Sequence, residues 1–259
     1  MVGILAIHAH PDDIETLAAG TLALLASLGH AITIASVTAG DCGSSAFGPE
    51  ETGRIRRGEA TTAAAMIGAS YQCLGVGDLA VFNNDETRRR VTEAVRAARP
   101  AIVITAAPAD YHPDHEATSS LVRDACFAAS APNYLTGPAA PLDAIPNLYF
   151  TDPISGRDRD GRLVAPDFAV EISGIWFETK KRMLATHESQ SEWLLRQHGI
   201  ENPLAAMEAW SSRRGRDFGV AQAEGFRHYR HEPYPRAPLL EGLLGDALIP
   251  GDVGVLPGR

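Results

Sequence analysis

Two short clusters of histidine and aspartate side chains have the spacing of a metal site. The first is HAHPDDIE, in which His10 and Asp13 are three residues apart directly after an apolar run. The second is HPDH, in which His112 and His115 have the same spacing after another apolar run. Two imidazoles and one carboxylate are a usual ligand set of catalytic zinc, which leaves a coordination position for water or substrate. The clusters therefore predict a metal site of this kind.

A carboxylate outside the ligand set is the second requirement of such chemistry. Bound zinc lowers the pKa of a coordinated water toward about 7, but a base must still accept the proton. Asp12, next to Asp13, is the neighbouring candidate. Pro11 and Pro113 lie inside the two clusters and restrict the backbone of both turns.

The same residues also have a purely structural interpretation. Asp12 or Asp13 could cap the first helix, and Asp114 could cap a helix that begins at Glu116, because aspartate is a preferred N-cap. One such cluster alone is more often a cap than a metal site. Two clusters that each follow a predicted strand favour the metal site.

Apolar runs alternate with amphipathic segments along the chain. This alternation predicts a parallel sheet covered by helices on both faces, with every strand-to-helix loop at one edge. Both clusters should then meet at the carboxyl edge of the sheet. The predicted strands are 3–9, 31–38, 71–76, 101–108, 147–152 and 167–173, and the predicted helices are 14–30, 50–67, 85–99, 116–129 and 175–186.

Length and composition limit the classes of protein that fit. We predict a single domain over residues 1–259, with an irregular C-terminal segment from about residue 210. The formal net charge of -9 argues against a nucleic-acid partner. The sequence shows neither a signal peptide nor a stretch apolar enough to span a membrane. The cysteines are three in number and not closely paired, which fits free thiols in the cytoplasm.

Several motifs together resemble the PIG-L/LmbE family of zinc-dependent N-acetylglucosaminyl deacetylases, which includes the mycothiol and bacillithiol pathway enzymes. HAHPDDIE and HPDH, in this order, are the specific part of the resemblance. The resemblance implies an α/β, Rossmann-like fold with a mostly parallel sheet and helices on both faces. Many members are homo-oligomers, so we expect a homo-oligomer here. Supporting matches are IRRGEA (55–60), LGVGD (74–78), KKRMLATHESQ (180–190) and VAQAEGFR (220–227).

The resemblance also implies a role for each matched residue. The metal ligands are His10, Asp13 and His115, and they bind one Zn²⁺ per chain, with another divalent metal as an alternative. The general base is Asp12, which later returns its proton to the leaving amine. The oxyanion partner is His112, and Asp114 orients its imidazole.

Two residues are assigned to substrate binding. Arg56 of IRRGEA is expected to point toward the mouth of the site. Some family members have a tyrosine two residues before HPDH, but Asp110 stands at that position and Tyr111 follows it. LGVGD also has Gly77 where relatives often have proline.

The leading hypothesis is therefore a hydrolase that removes the acetyl group from an N-acetylglucosamine-type sugar conjugate. One alternative is the same metal-dependent hydrolysis of a different amide. Another is a Rossmann binding module without catalysis, but that class needs a glycine-rich turn after the first strand. This turn has no glycine before Gly20 and carries two carboxylates that repel a pyrophosphate. Outside the clusters, His8 is expected as a hydrogen-bonded core residue and His187 at most as a group beyond the ligands.

Overall fold

Eight strands form one sheet in the computed structural model, which describes residues 1–251. The strands are β1 (Gly3–His8), β2 (Ala31–Thr38), β3 (Ser70–Val76), β4 (Ile102–Thr105), β5 (Asn147–Thr151), β6 (Phe168–Glu171), β7 (Ala223–His228) and β8 (Leu248–Pro250). Their order across the sheet is β3-β2-β1-β4-β5-β7-β6-β8. The strands β1 to β5 pair in parallel, whereas β7 pairs antiparallel with both β5 and β6, and β8 pairs antiparallel with β6.

Helices cover both faces of this sheet. Along β1, Ile4 and Ala6 belong to one apolar cluster while Leu5 and Ile7 belong to the other, because successive side chains of a strand point to opposite faces. The expected α/β, Rossmann-like fold is thus confirmed. The helices are α1 (Asp13–Leu17), α2 (Ala19–Ser27), α3 (Pro49–Ala65), α4 (Asp85–Ala98), α5 (Pro113–Ala129), α6 (Ile175–Ala185), α7 (Ser191–His198), α8 (Pro203–Asp217) and α9 (Leu239–Leu244).

The strand order places the two clusters side by side. In the order β3-β2-β1-β4-β5, the chain first runs from β1 outward through β2 to β3. It then returns to the other side of β1 and runs outward through β4 to β5. The direction therefore reverses between β1 and β4. Crevices of parallel sheets open at such switch points, at the carboxyl ends of the strands. HAHPDDIE follows β1 and HPDH follows β4, so this crevice lies between them.

The helix predicted over residues 14–30 is broken. At Ala18 the φ angle of -142° ends α1, and α2 begins at the next residue. The cause is a long-range contact, since the buried Glu224 carboxylate accepts hydrogen bonds from the main-chain N–H groups of Gly20 (3.0 Å) and Thr21 (2.7 Å). Lys180 holds the same carboxylate at 2.7 Å. A partner 204 residues away leaves no local signal in the sequence.

The segment after residue 210 is more regular than we expect from the sequence. It supplies part of α8 and all of β7, α9 and β8. The strand β7 (AEGFRH) is short and polar and contains Gly225, so it lacks an apolar period. A side chain at Gly225 would meet the Asp152 carboxylate at 2.5 Å, so close packing excludes one.

The last residues of the predicted domain, 252–259, lie outside the described part. Within residues 1–251, every helix is too short or too polar to cross a bilayer.

Candidate active site

The Asp13 carboxylate lies between the imidazoles of the two clusters. Its Oδ2 is 3.3 Å from His10 Nδ1, and its Oδ1 is 3.3 Å from His115 Nε2. Two ligand atoms that bind a tetrahedral zinc at about 2.0–2.1 Å are about 3.3 Å apart. The donor types and their spacing therefore fit a divalent metal ion.

Carboxylates face the outer nitrogen of each of these imidazoles. Asp78 Oδ1 is 3.1 Å and Asp114 Oδ2 is 3.5 Å from His10 Nε2. Asp110 Oδ1 is 3.3 Å from His115 Nδ1. At His10, the hydrogen bond to Asp78 fixes the proton on the outer nitrogen and leaves the inner nitrogen's lone pair for a metal. The inner nitrogens are those that face Asp13.

Asp13 is itself held firmly in the ionised form. Its Oδ2 accepts hydrogen bonds from His8 Nδ1 at 2.6 Å and from the His10 N–H at 2.7 Å. Burial alone raises the pKa of this carboxyl, but His115, His8 and His10 outweigh it and hold the pKa well below its usual range. The expected hydrogen-bonded core histidine, His8, is confirmed, and its partner is a predicted ligand.

Asp12 has a different environment from its neighbour. Its backbone is in a left-handed conformation (φ 95°, ψ -21°), which costs a non-glycine residue about 1–3 kcal/mol and is frequent at functional sites. Although Asp12 occupies the N-cap position of α1, its side chain makes no capping hydrogen bond. Burial raises the pKa of its carboxyl, and Arg56 opposes this in part. The side chain lines the cleft, as a general base must.

The HPDH turn differs from the expected arrangement in two ways. The helix α5 begins at Pro113 rather than at Glu116, and His112 is its N-cap, so Asp114 does not cap it. His112 Nδ1 accepts the main-chain N–H of Asp114 at 3.2 Å. The Asp114 carboxylate instead accepts the Leu79 N–H at 2.8 Å and faces His10. The main chain, not the Asp114 side chain, therefore orients the His112 ring.

This hydrogen bond decides the form of the His112 imidazole. Because Nδ1 accepts an N–H, the proton of the neutral ring lies on Nε2, which is left as a donor. Burial, followed by the neighbouring His10 and His115, lowers the pKa of His112 to about 4. The ring is therefore neutral near pH 7.

Arg56 lines the cleft, but its guanidinium is hydrogen-bonded to other groups of the protein. It donates from Nη1 to Gly40 O at 2.9 Å and from Nη2 to Pro11 O at 2.7 Å. Nη2 also lies 3.3 Å from Asp12 Oδ1. Gly40 has a φ of 63°, and a side chain there would collide with this guanidinium. The predicted substrate contact of Arg56 stays a prediction, while its visible contacts position Asp12.

We expect Arg56→Lys to lower both stability and turnover. Lysine cannot reproduce the forked contacts to Gly40, Pro11 and Asp12, so the free energy of unfolding should fall by about 1–3 kcal/mol. Turnover should fall as well, since the turn that holds Asp12 loosens. Urea unfolding and kcat measure the two effects. Arg57→Lys, an exposed position on the same helix, is the matched control and should change neither. An unchanged kcat in Arg56→Lys would contradict the positioning role.

Above the aspartates and imidazoles lies a cleft of about 290 Å³. Tyr111 lines it, as the sequence predicts for a substrate-binding residue, although its contact with substrate stays a prediction. Sequence reasoning missed the cleft residues of α7, because a short helix with no spacing pattern gives no signal. Other residues that line the cleft are Cys42, Gly43, Leu79, Gln190, Trp193, Leu194, Gln197 and His198.

His187 lies next to Asp12 and outside the predicted ligand set. It is buried, with Nε2 3.7 Å from Glu15 Oε1. A separate cavity of about 120 Å³ is lined by both His187 and Asp12. The structure thus places His187 beyond the predicted ligand set.

Donor atoms of further residues also come close together. Those of His10, His112 and His115 lie within 4.8 Å of one another, as do those of His8, Asp13 and His115. The predicted ligands thus sit within a larger cluster of possible donors. Their individual roles stay predictions.

The chain is similar to known proteins that are named for two different activities, hydration and deacetylation. A 4-oxalmesaconate hydratase of Pseudomonas putida is 28% identical over 66% of this chain and 68% of its own length. A probable N-acetyl-alpha-D-glucosaminyl L-malate deacetylase 2 of Bacillus cereus is 29% identical over 80% of this chain and 93% of its own length.

The fold is shared with a solved deacetylase structure. The N,N'-diacetylchitobiose deacetylase from Pyrococcus horikoshii superposes with a TM-score of 0.73, over 91% of this chain and 88% of that one, at 23% identity. The family model described as PIG-L: GlcNAc-PI de-N-acetylase matches residues 5–126, which include both clusters. The part of the chain that matches the PIG-L family is therefore residues 5–126.

Proposed function

We propose that this protein is a metal-dependent hydrolase that removes the acetyl group from an N-acetylglucosamine-type sugar conjugate. The observation that carries the proposal is the arrangement of two neighbouring aspartates. Asp13 sits between two imidazoles at the spacing of metal ligands, and Asp12 lines the cleft beside it.

His10, Asp13 and His115 would hold the metal ion. When bound, such an ion acts as a Lewis acid that activates water and polarises a carbonyl. The protein supplies the remaining groups. Asp12 accepts the proton of the attacking water and passes it to the amide nitrogen as the C–N bond breaks, so that acetate and an amine are released. His112 donates from Nε2 to the carbonyl oxygen as negative charge develops there.

The proposal also covers the identity of the metal ion and the number of chains in the assembly. We assign zinc, one ion per chain, and a homo-oligomer, both of which native mass spectrometry measures in a single experiment. The cysteines, Cys42, Cys73 and Cys126, are free, which fits the reducing cytoplasm expected from the sequence.

Hydration is the competing reaction, since a hydratase is among the relatives. The two reactions differ in their products, because hydrolysis of an N-acetyl group yields acetate and free amine in equal amounts. The test is to incubate the zinc-loaded protein with several N-acetylglucosamine conjugates and to measure both products. Equal amounts of amine and acetate support the proposal. Turnover of an unsaturated carboxylate, with no amine from any conjugate, would overturn it.

We expect His112→Ala to reduce kcat by about 10²–10³-fold, the usual cost of losing one oxyanion donor. Metal content should remain as in the parent protein, because Nδ1 of His112 accepts a main-chain hydrogen bond and Nε2 carries the proton, so neither nitrogen has a free lone pair for a metal. Turnover and metal analysis on the same sample measure the two. A parallel loss of metal would make His112 a ligand, and full activity would remove it from the mechanism.

A further inference from the structure

Four apolar or aromatic side chains line the cleft outside the predicted ligands. Tyr111 is 50% exposed and Leu79 is 60% exposed, while Trp193 and Leu194 of α7 are half-buried beside them. Such a group of exposed apolar side chains beside a polar site indicates a binding surface. It lies directly outside the predicted ligands.

Leu79, one of these side chains, is held by a strained backbone conformation. Leu79 has a φ of 59°, a left-handed conformation that a leucine rarely adopts. Its N–H is anchored by the Asp114 carboxylate at 2.8 Å. The same contact that fixes Asp114 therefore fixes an apolar side chain at the mouth.

Positive charge is scarce in the same cleft. Within residues 1–251, Arg56 is the one lysine or arginine that lines it. Arg56 is only 4% exposed, and its hydrogen bonds go to Gly40, Pro11 and Asp12. Three carboxylates, those of Asp12, Asp13 and Asp78, line the cleft as well.

Resting on the proposed function, we propose that the group attached to the acetylated sugar is uncharged and packs a ring against Trp193 and Tyr111. The C–H groups of a sugar ring or an aromatic ring pack well on the negative face of an aromatic side chain. A carboxylate or phosphate is bound most strongly by arginine or lysine, and within residues 1–251 the one such side chain that lines the cleft, Arg56, already donates to the protein.

This inference separates the chain from the relative named for an L-malate conjugate. Malate carries carboxylates, and their binding calls for exposed cations at the mouth. The cation-poor, aromatic mouth described here favours a neutral glycoside, such as a disaccharide or an aryl glycoside.

The test compares two glycosides of N-acetylglucosamine of nearly equal size, the benzyl and the 4-carboxybenzyl glycoside. We expect kcat/KM to be at least about tenfold higher for the benzyl glycoside. Trp193→Ala should raise KM for that compound by about tenfold with little change in kcat, since stacking is lost while the metal site is untouched. Leu195→Ala is the matched control, because Leu195 is 47% exposed on the same helix but does not line the cleft. It should leave both constants unchanged.

A second variant tests the charge argument by a gain of activity. Gln197→Arg adds a cation at the mouth and should raise kcat/KM for the 4-carboxybenzyl glycoside several-fold, with little effect on the benzyl compound. A parent protein that prefers the charged glycoside, or a Trp193→Ala variant with unchanged KM, would overturn the inference.

Calorimetric binding of the two deacetylated glycosides gives a readout that does not need turnover. Tighter binding of the benzyl compound supports the inference even if neither acetylated glycoside is hydrolysed. In that case the proposed function alone fails. Equal or weaker binding of the benzyl compound contradicts the inference whatever the turnover.

Discussion

Asp12→Asn is expected to bind metal like the parent protein while its kcat falls by about 10²–10⁴-fold, the usual contribution of a positioned general base. Asparagine is the right replacement, because it tolerates the left-handed backbone that Asp12 adopts at φ 95°. The fold of the turn should therefore survive, and only the proton acceptor is removed.

The measurement is kcat together with metal content and melting temperature on the same preparation. Asp143→Asn, which alters a carboxylate that is 96% exposed, controls for the general effect of losing one acid and should behave like the parent protein. If metal content falls in step with kcat, Asp12 is a ligand and our assignment of the two aspartates is reversed.

The neighbouring substitution should give the opposite pattern. In Asp13→Asn we expect metal content to fall to less than about a tenth of that of the parent protein, with turnover lost alongside it. A neutral amide is a poor ligand in place of a carboxylate, and Asp13 also receives hydrogen bonds from His8 and from the His10 N–H.

Added zinc distinguishes the two variants. Excess Zn²⁺ should restore part of the turnover of Asp13→Asn, because it drives binding to a weakened site. It should not restore Asp12→Asn, whose site is already filled. Rescue of Asp12→Asn by zinc would make Asp12 a ligand, and full metal content in Asp13→Asn would show that Asp13 is not one.

Much of the fold was predictable from local pattern. Apolar runs such as GILAIH (3–8) and AITIASVT (31–38) correspond to β1 and β2, because buried parallel strands are continuously apolar. The strand β7 was not predictable, since AEGFRH has no apolar period. The break at Ala18 was not predictable either, because the Glu224 contact that permits it comes from far along the chain.

Some residues of the candidate site were also predictable from the sequence, and others were not. The two clusters could be found because each is compact in sequence and follows a strand. Asp78 and Asp110 stand in or beside motifs that the sequence showed, but their contacts with the outer nitrogens of His10 and His115 depend on the folded sheet edge. Trp193 belongs to a helix that the sequence pattern did not reveal.

The central claim is that a metal held by His10, Asp13 and His115 enables the protein to release an amine from an N-acetylglucosamine conjugate. The most direct test is to remove metal with a chelator, add Zn²⁺ in steps, and follow amine release from N,N'-diacetylchitobiose. We predict that activity is absent without metal, rises in proportion to added zinc and reaches a plateau at one equivalent per chain. Activity that is indifferent to metal, or no amine release at any zinc concentration, would contradict the account.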